Sequence, residues 1–543
     1  MVSYSKYLFL VLVFLFILLI SQIINIITPN NILNSPDEVS DYRIMKEYAL
    51  TGNMYINASH LSYDLGNNLH PRGLLTWNNA LVPFDFLGFP FFYGPLYNFF
   101  GENLKYILVG IDVLILLFIL YSLYSLFYDE KMKLYLISLF VLLTPILFYL
   151  NFFYFSITGN VIFFFLFFLY LKKFNQTKNK KDLYLSTLFA SIAVFFRYES
   201  ILFILILFTI DVFTNLKLYK NLNKKTVMFL KLLSISILSF VIPLLILNYK
   251  TYGNPLIYGY SLFNKIYFPI ERTGSPFNSI KSILFPSQVF SLSTFFGNIN
   301  SVLLIFSSLF FVLLLFGVLS KYSRKMIPYF FVILYYLIYN GMNPDTYLSG
   351  SSILTLNFAV LRYWMLIFPF ALMPVIYYFS KNNLNKILKI VLITFLLINS
   401  ILLITINNNS NLISYKNYFL QVQENKETLS NLTISSDYLI TSARGKLYYD
   451  IINIISWWGG PTQSQSDLFF NATNIANITK FMITQNNSVY YLSDPYNFKY
   501  IPLLENESLI FTSVPEFNGL YKITPLNSTT LQNKTFLNNS NSE

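Results

Sequence analysis

Residues 104–128 read LKYILVGIDVLILLFILYSLYSLFY, a run that carries only two charges, Lys105 and Asp112. A helix of about 20 apolar residues crosses the hydrocarbon of a bilayer, and this run is long enough. Ten more apolar runs occur, at roughly 7–27, 133–150, 157–171, 183–196, 200–216, 228–247, 299–319, 326–341, 358–380 and 386–406. The first follows Lys6 and has no A-x-A-like cleavage site after Ile27, so it reads as a retained anchor rather than a removed signal peptide. The whole chain agrees. It has 543 residues, 55% hydrophobic and 11% charged, with mean hydropathy +0.53, whereas a soluble domain carries about 25% charged residues. Too few polar side chains remain to cover a soluble protein of this size. There is no cysteine, which excludes disulfides, thiolate catalysis and Cys-ligated metal sites. The expected fold class is an α-helical polytopic membrane protein with about 11 transmembrane helices.

The formal net charge of +12 resembles a nucleic-acid signal until the charges are placed. With the N-terminus in the cytoplasm, the inner segments hold 19 of the 37 Lys and Arg residues, in only about 55 residues of short loop. Lys172, Lys173, Lys178, Lys180 and Lys181 lie in one such loop, and Lys217, Lys220, Lys224, Lys225 and Lys231 in the next. Excess Lys and Arg in short loops sets orientation. The charge is therefore read as topology, with a cytoplasmic N-terminus, an external C-terminus and no nucleic-acid partner.

Residues 1–406 form the transmembrane domain, with long outer loops at 28–103 and 248–298. In the first loop, Val39, Tyr42, Ile44, Met45 and Tyr48 recur at helical spacing after Pro36, which predicts a surface helix ended by Gly52. The stretch Ala80–Phe100 is apolar but carries Pro83, Pro90 and Pro95. It is expected to dip or lie at the interface, packed against protein, rather than to span. From 407 the composition turns to Asn, Ser and Thr. Strand-length runs at Tyr438–Ser442, Val489–Leu492, Leu509–Thr512 and Leu520–Ile523, with a helix at Asn474–Thr484, predict a small extracytoplasmic α/β domain over 407–525. Residues 526–543 read as a disordered tail. Sequons begin at Asn408, Asn431, Asn471, Asn477, Asn486, Asn506, Asn527, Asn533 and Asn538, where composition alone predicts about four. This agrees with an external, glycosylated domain.

Ionisable groups are costly in or near hydrocarbon and tend to mark function. The leading cluster is Ser35-Pro36-Asp37-Glu38-Val39-Ser40-Asp41-Tyr42, directly after the first run. Acids there suit a general base facing a lipid-borne substrate, and they equally suit a helix N-terminus, where Asp and Glu complement the free N–H groups. Candidate cations are Arg72, Arg197 and Arg362, then Arg43, Lys46 and Arg272. The Arg fork grips two phosphate oxygens, although Arg197 equally fits an ion pair or a snorkel at a helix–helix turn. Asp112 lies about 13 Å inside its run by helix rise and is expected to face a hydroxyl or basic partner. Asp211 sits near the inner end of its run and is expected to reach water. His60 and His70, with Asp64 or Asp37, are the candidate ligands of a divalent cation. Two distant histidines in a polar loop are more often ordinary surface residues, and no metal site is assigned.

The order of segments resembles a family. After the anchor and the Asp37-Glu38 pair come DYRIMKEYALTGNMYI at 41–56, His70-Pro71-Arg72-Gly73, FFYGPLYNFFG at 91–101, FFRYES at 195–200, YGNPLIYGY at 252–260 and LRYW at 361–364. This succession, over about residues 1–406, is similar to the membrane glycosyltransferases of GT-C fold. Within them it looks like the protein O-mannosyltransferase and aminoarabinose-transferase superfamily, in its archaeal or bacterial form. The resemblance implies a polyprenyl-phosphate sugar donor (dolichyl or undecaprenyl), an outward-facing site in the cell membrane and inversion at the anomeric carbon. Asp37, matching the first acid of the family's pair, would take the acceptor's proton, and Glu38, the second, would support acceptor placement or the loop. The donor carries its own phosphate, and no G-x-x-x-x-G-K-[ST] nucleotide loop is present.

One position departs from the pattern. Relatives often carry a second acid between the third and fourth spans, where this chain has NFFYFSITGN at 151–160 and no carboxylate. Either Asn160 replaces it as a hydrogen-bonding group, or the acceptor differs, or the chain is an inactive relative. Trp457-Trp458-Gly459-Gly460 is similar to the WWDYG motif of oligosaccharyltransferases but lacks its Asp and Tyr, and is read as a packing feature. Two other classes remain. A lipid or solute transporter predicts midplane charges and inverted repeats, and only Asp112 qualifies. A non-catalytic assembly protein would bind through 407–543.

Overall fold

A computed structural model describes residues 36–57, 73–126, 156–198, 200–214, 225–259, 261–262, 412–433, 437–441, 453–456, 472–493, 500–515, 517 and 519–526, with isolated helical residues at 334, 370, 391, 394 and 398. Five of the apolar runs fall within them; the run at 7–27 and the other five lie outside, apart from those isolated positions.

Helix α1 (Pro36–Thr51) ends at Gly52, whose φ of +76° lets its N–H return to Tyr48 O. A three-stranded antiparallel sheet follows, β1 (Ile56–Asn57), β2 (Leu74–Trp77) and β3 (Ala80–Pro83), in the order β1-β3-β2. Asn78 and Asn79, both at positive φ, make the tight hairpin between β2 and β3, as Asn tolerates the left-handed region. Helix α2 (Gly88–Phe100) packs on α1. The proline-bearing stretch thus divides into a strand and a short helix, because Pro83 closes the strand and Pro90 is acceptable in a first turn.

The apolar runs form α3 (Leu104–Ser125), α4 (Ser156–Thr177), α5 (Lys180–Phe196), α6 (Ser200–Thr214), α7 (Lys225–Ser236) and, after a π turn at Ile237–Val241, α8 (Ile242–Tyr252). Pro243 cannot donate to the carbonyl four residues back and crowds it, and the preceding turn widens. Among the described residues one helix, Lys231–Tyr252, is long and apolar enough to cross a membrane, by length and composition, and little of it is buried.

Helices α4 and α5 form a tight antiparallel hairpin, which gives the bundle two unlike ends. At one end are the lysines of the turn. Lys172 Nζ meets Asp211 Oδ1 at 2.9 Å, Asn175 donates to the same oxygen at 2.5 Å, and Gln176 donates to Leu126 O at 3.0 Å. Asp211 is fully buried there, not open to water as its position in the sequence suggests, because the lysine folds back onto it. At the other end, Trp77 Nε1 donates to Tyr252 O and Tyr252 Oη to Pro83 O, both at 2.9 Å, so the small sheet seats on the end of α8.

The C-terminal region holds α9 (Leu412–Leu432), β4 (Tyr438–Thr441), β5 (Asn453–Ser456), α10 (Ala472–Thr484), β6 (Val489–Leu492), α11 (Ile501–Asn506), β7 (Leu509–Ser513) and β8 (Leu520–Pro525). The sheet order is β5-β4-β6-β8-β7, with β4 parallel to β5 and β6, and β8 antiparallel to its neighbours. Alternation decides the layers. Leu439, Tyr490 and Leu492 pack with Val422 and Leu429 of α9, while Ile440, Val489 and Tyr491 pack with Ile475, Ile478 and Met482 of α10. The second cluster is continuous with Ile44, Leu75, Phe84 and Tyr252. The domain therefore belongs to the same end of the bundle as the small sheet.

Candidate functional site

Asp37 and Glu38 occupy the second and third positions of α1, behind Pro36. Their carboxylates lie outside the described side chains. Proline suits a first helical turn, and acids there favour the helix dipole. By register, the Asp37 position precedes that of Asp41 by one helical turn, and Asp41 is buried together with Ser40 and Ile44.

The body of α1 is latched down by one carboxylate. Glu102, in the 3-10 turn Gly101–Asn103, accepts from Lys46 Nζ at 2.8 Å, from Tyr97 Oη at 2.7 Å and from Tyr42 Oη. Tyr42 and Tyr97 meet edge to face at 6.3 Å. Burial alone raises the Glu102 carboxyl, but the hydrogen bonds from Lys46, Tyr42 and Tyr97 outweigh it and hold its pKa below the ordinary 4.5. Burial, then the Glu102 carboxylate, pushes the Tyr42 and Tyr97 hydroxyls up. Closer in, a Cβ on Gly94 would lie 2.7 Å from the Tyr48 ring, so glycine sets the approach of α2 to α1.

A second junction carries Arg197. It ends α5 in extended conformation, its N–H on Ala193 O, and its guanidinium lies 5.4 Å from the centre of the Phe86 ring. Phe86 also meets Tyr198 edge to face at 4.8 Å. Gly88 makes this contact feasible, since a Cβ there would fall 2.6 Å from Phe195 O and 2.7 Å from Phe196 Cα. Asn160 braces the same end from α4: its amide donates to Ala193 O at 2.7 Å and to Ser200 Oγ at 2.5 Å. The buried Asn160 amide thus joins α4, α5 and α6, and its Oδ1 has no hydrogen-bond partner.

Asp112 is buried in α3, and the Tyr93 hydroxyl lies 3.3 and 3.4 Å from its two oxygens. His60, Asp64, His70, Arg72, Arg272 and Arg362 lie outside the described residues, as do Trp457 and Trp458. The structure thus gathers α1, Arg197 and Asn160 at one end of the bundle. Among the described residues no three His, Asp or Glu side chains converge on a metal position. Two acids at this end escaped the sequence reading. Glu102 looked like a loop residue. Asp85, buried between β3 and α2, had a signal, being the lone charge in the apolar stretch 80–100. Compared with known proteins, the chain matches no family model and no curated sequence.

Proposed function

We propose that the chain is a multi-pass enzyme of the cell membrane, of GT-C-like architecture, that moves a sugar from a polyprenyl phosphate to a protein, lipid or glycan acceptor on the outer face. The observation that carries this reading is the polarity of the bundle. The lysine-rich turn closes one end, while the body of α1, Arg197 and the braced α4–α5–α6 junction share the other. Membrane placement is supported by apolar residues exposed at helical spacing: Ile111, Ile115 and Phe118 on α3; Ile201, Leu205 and Phe208 on α6; Leu238, Ile242 and Ile246 along the π turn and α8. Such stripes suit lipid better than water.

The reaction is an inverting displacement. The acceptor hydroxyl oxygen attacks the anomeric carbon, the bond from that carbon to the donor phosphate breaks, and the lipid phosphate leaves with the electron pair. Asp37 takes the hydroxyl proton, and Glu38 orients the acceptor. Arg197, with Arg72 and Arg362, offsets the charge that grows on the phosphate. The balance of this step needs no cofactor; a divalent cation at the phosphate is the alternative source of that positive charge. The test is transfer from a lipid-phosphate sugar in proteoliposomes. Asp37→Asn is expected to lower the rate about 10²–10⁴-fold, and transfer at the wild-type rate would sink the base assignment. Arg197→Lys keeps the charge but loses the fork, and is expected to weaken donor binding.

A further inference from the structure

The strand polarity of the C-terminal sheet gathers its sequons. Strands β4, β6 and β7 run the same way, because β8 is antiparallel to both β6 and β7 and β4 is parallel to β6. Their amino ends, with the carboxyl end of β8, therefore share one edge of the domain. The sequons at Asn486 and Asn506 end at the residue before β6 and β7, four residues separate that at Asn431 from β4, and the tail that carries Asn527, Asn533 and Asn538 follows β8 in the chain. Hydrogen bonds stitch these segments together. Tyr490 Oη donates to Leu432 O at 3.3 Å, Ser488 N–H to Asp437 Oδ1 at 2.9 Å, Thr473 Oγ1 to Glu507 Oε1 at 2.7 Å, and Leu526 N–H to Ser508 O at 2.9 Å. Leu432, Ser488, Thr473, Glu507 and Ser508 are all sequon residues.

The sequons on this edge differ in presentation. Asn486 and Asn506 are exposed, and each opens a turn containing a residue at positive φ, Asn486 itself at 63° and Ser508 at 65°. Asn431 and Asn477 are also exposed, but their partner hydroxyls are not presented. Thr433 and Thr479 are buried and donate to Leu429 O and Ile475 O, each at 2.7 Å, within their helices. An enzyme that adds a glycan to the folded domain must reach both the asparagine amide and the hydroxyl two residues on. At Asn486 and Asn506 the partner residues Ser488 and Ser508 are half-buried and lie at turns, whereas in the helices the last turn or the middle must first open. A bulky, hydrophilic glycan also belongs on a surface away from the packed core.

We propose that this edge of the C-terminal sheet is a glycan-bearing face, with Asn486 and Asn506 as its attachment sites. The proposal rests on the outward orientation of the domain adopted above. The chain supplies an internal control in Asn175-Gln176-Thr177, a sequon at the lysine-rich turn. The experiment is expression of the full chain in a yeast host, removal of glycans by peptide N-glycosidase in heavy-oxygen water, and mass spectrometry of each asparagine. Expected are labelled Asn486 and Asn506, at higher occupancy than Asn431 and Asn477, with Asn175 unlabelled. Asn486→Gln with Asn506→Gln should then remove two glycan-sized steps in gel mobility. If Asn486 and Asn506 are unlabelled while Asn431, Asn477 or the tail sequons are labelled, the site assignment is overturned and the orientation stands. If Asn175 is labelled and none after Asn408 is, the orientation itself is overturned. Absence of label at every sequon overturns the proposal.

Discussion

The two ends of the bundle each hold a lysine against a carboxylate at nearly the same distance, and the two pairs do different work. Lys172–Asp211, at 2.9 Å, is 18% and 0% exposed; Lys46–Glu102, at 2.8 Å, is 35% and 50% exposed. The first joins α4 to α6 inside the lysine end, with Asn175 adding a second donor. A buried charge left without its partner is strongly destabilising, so this pair fixes helix against helix. The second sits at the solvent edge of α1, where water screens it and the net gain is small. A fixed base beneath a weakly held helix would suit the proposed transferase, which would have to admit a long lipid donor at one end and keep its frame at the other.

The comparison is broken most directly at the buried pair. Asp211→Ala should destabilise the detergent-solubilised chain by about 3–5 kcal/mol in chemical denaturation, and adding Lys172→Ala should recover part of that loss. If the double variant is no better than the single one, the pair is not coupled and the lysine end is held by packing alone. Next in size is Gly88→Ala at the opposite end. The new Cβ meets backbone atoms of Phe195 and Phe196 that cannot turn aside, and overpacking of this kind costs about 1–3 kcal/mol. Because Phe86, two residues ahead of Gly88, would be displaced from Arg197, the proposed sugar transfer should fall more than stability does. Asn160→Ala removes the amide that bridges Ala193 O and Ser200 Oγ, at about 1–2 kcal/mol. Asn160→Asp is the sharper variant. If Asn160 stands in for a catalytic acid, the aspartate should raise transfer; if it is a brace, the aspartate cannot donate to Ala193 O and transfer should fall.

How much of this could be read from the chain depends on how local the signal is. Helix α1 with its Gly52 stop, and strands β4, β6, β7 and β8, follow from period, β-branched and aromatic runs and turn residues, and their bounds agree within a few positions. Strand β5 did not emerge, since NIIS offers only two apolar residues. Helix α9 was hidden by its polar surface, with Val422 and Leu429 the buried apolar residues among its described side chains. At the site, Asp37, Glu38 and Arg197 were nominated by charge in a charge-poor chain. Glu102 was invisible, because its partners Tyr42 and Lys46 lie about 60 residues away and only the packing of α1 on α2 brings them together. Asp211 failed for the converse reason: its depth looked shallow, while its lysine partner comes from another helix.

The smallest expected effect concerns the exposed latch. Glu102 has a lowered pKa in the fold, so its contribution is complete above the ordinary value of 4.5 and is lost as pH falls through the lower folded value. Lys46 is raised, because its bonds to Glu102 outweigh the lowering by burial, so its share persists below 10.5 and is lost only at more alkaline pH. Solvent screening at these exposures limits the whole latch to about 1 kcal/mol, too little to show clearly in global unfolding. It should show locally, in the amide-exchange protection of residues 42–50 compared at pH 7 and at about pH 2–3, well below the ordinary carboxylate value. The native chain should lose protection in α1 on acidification, whereas Glu102→Gln should begin with weaker protection and change little further. If the variant keeps the native acid response, the carboxylate that holds α1 is another one, Asp41 or Glu47. The tyrosine contacts of Glu102 would then be packing and not a latch.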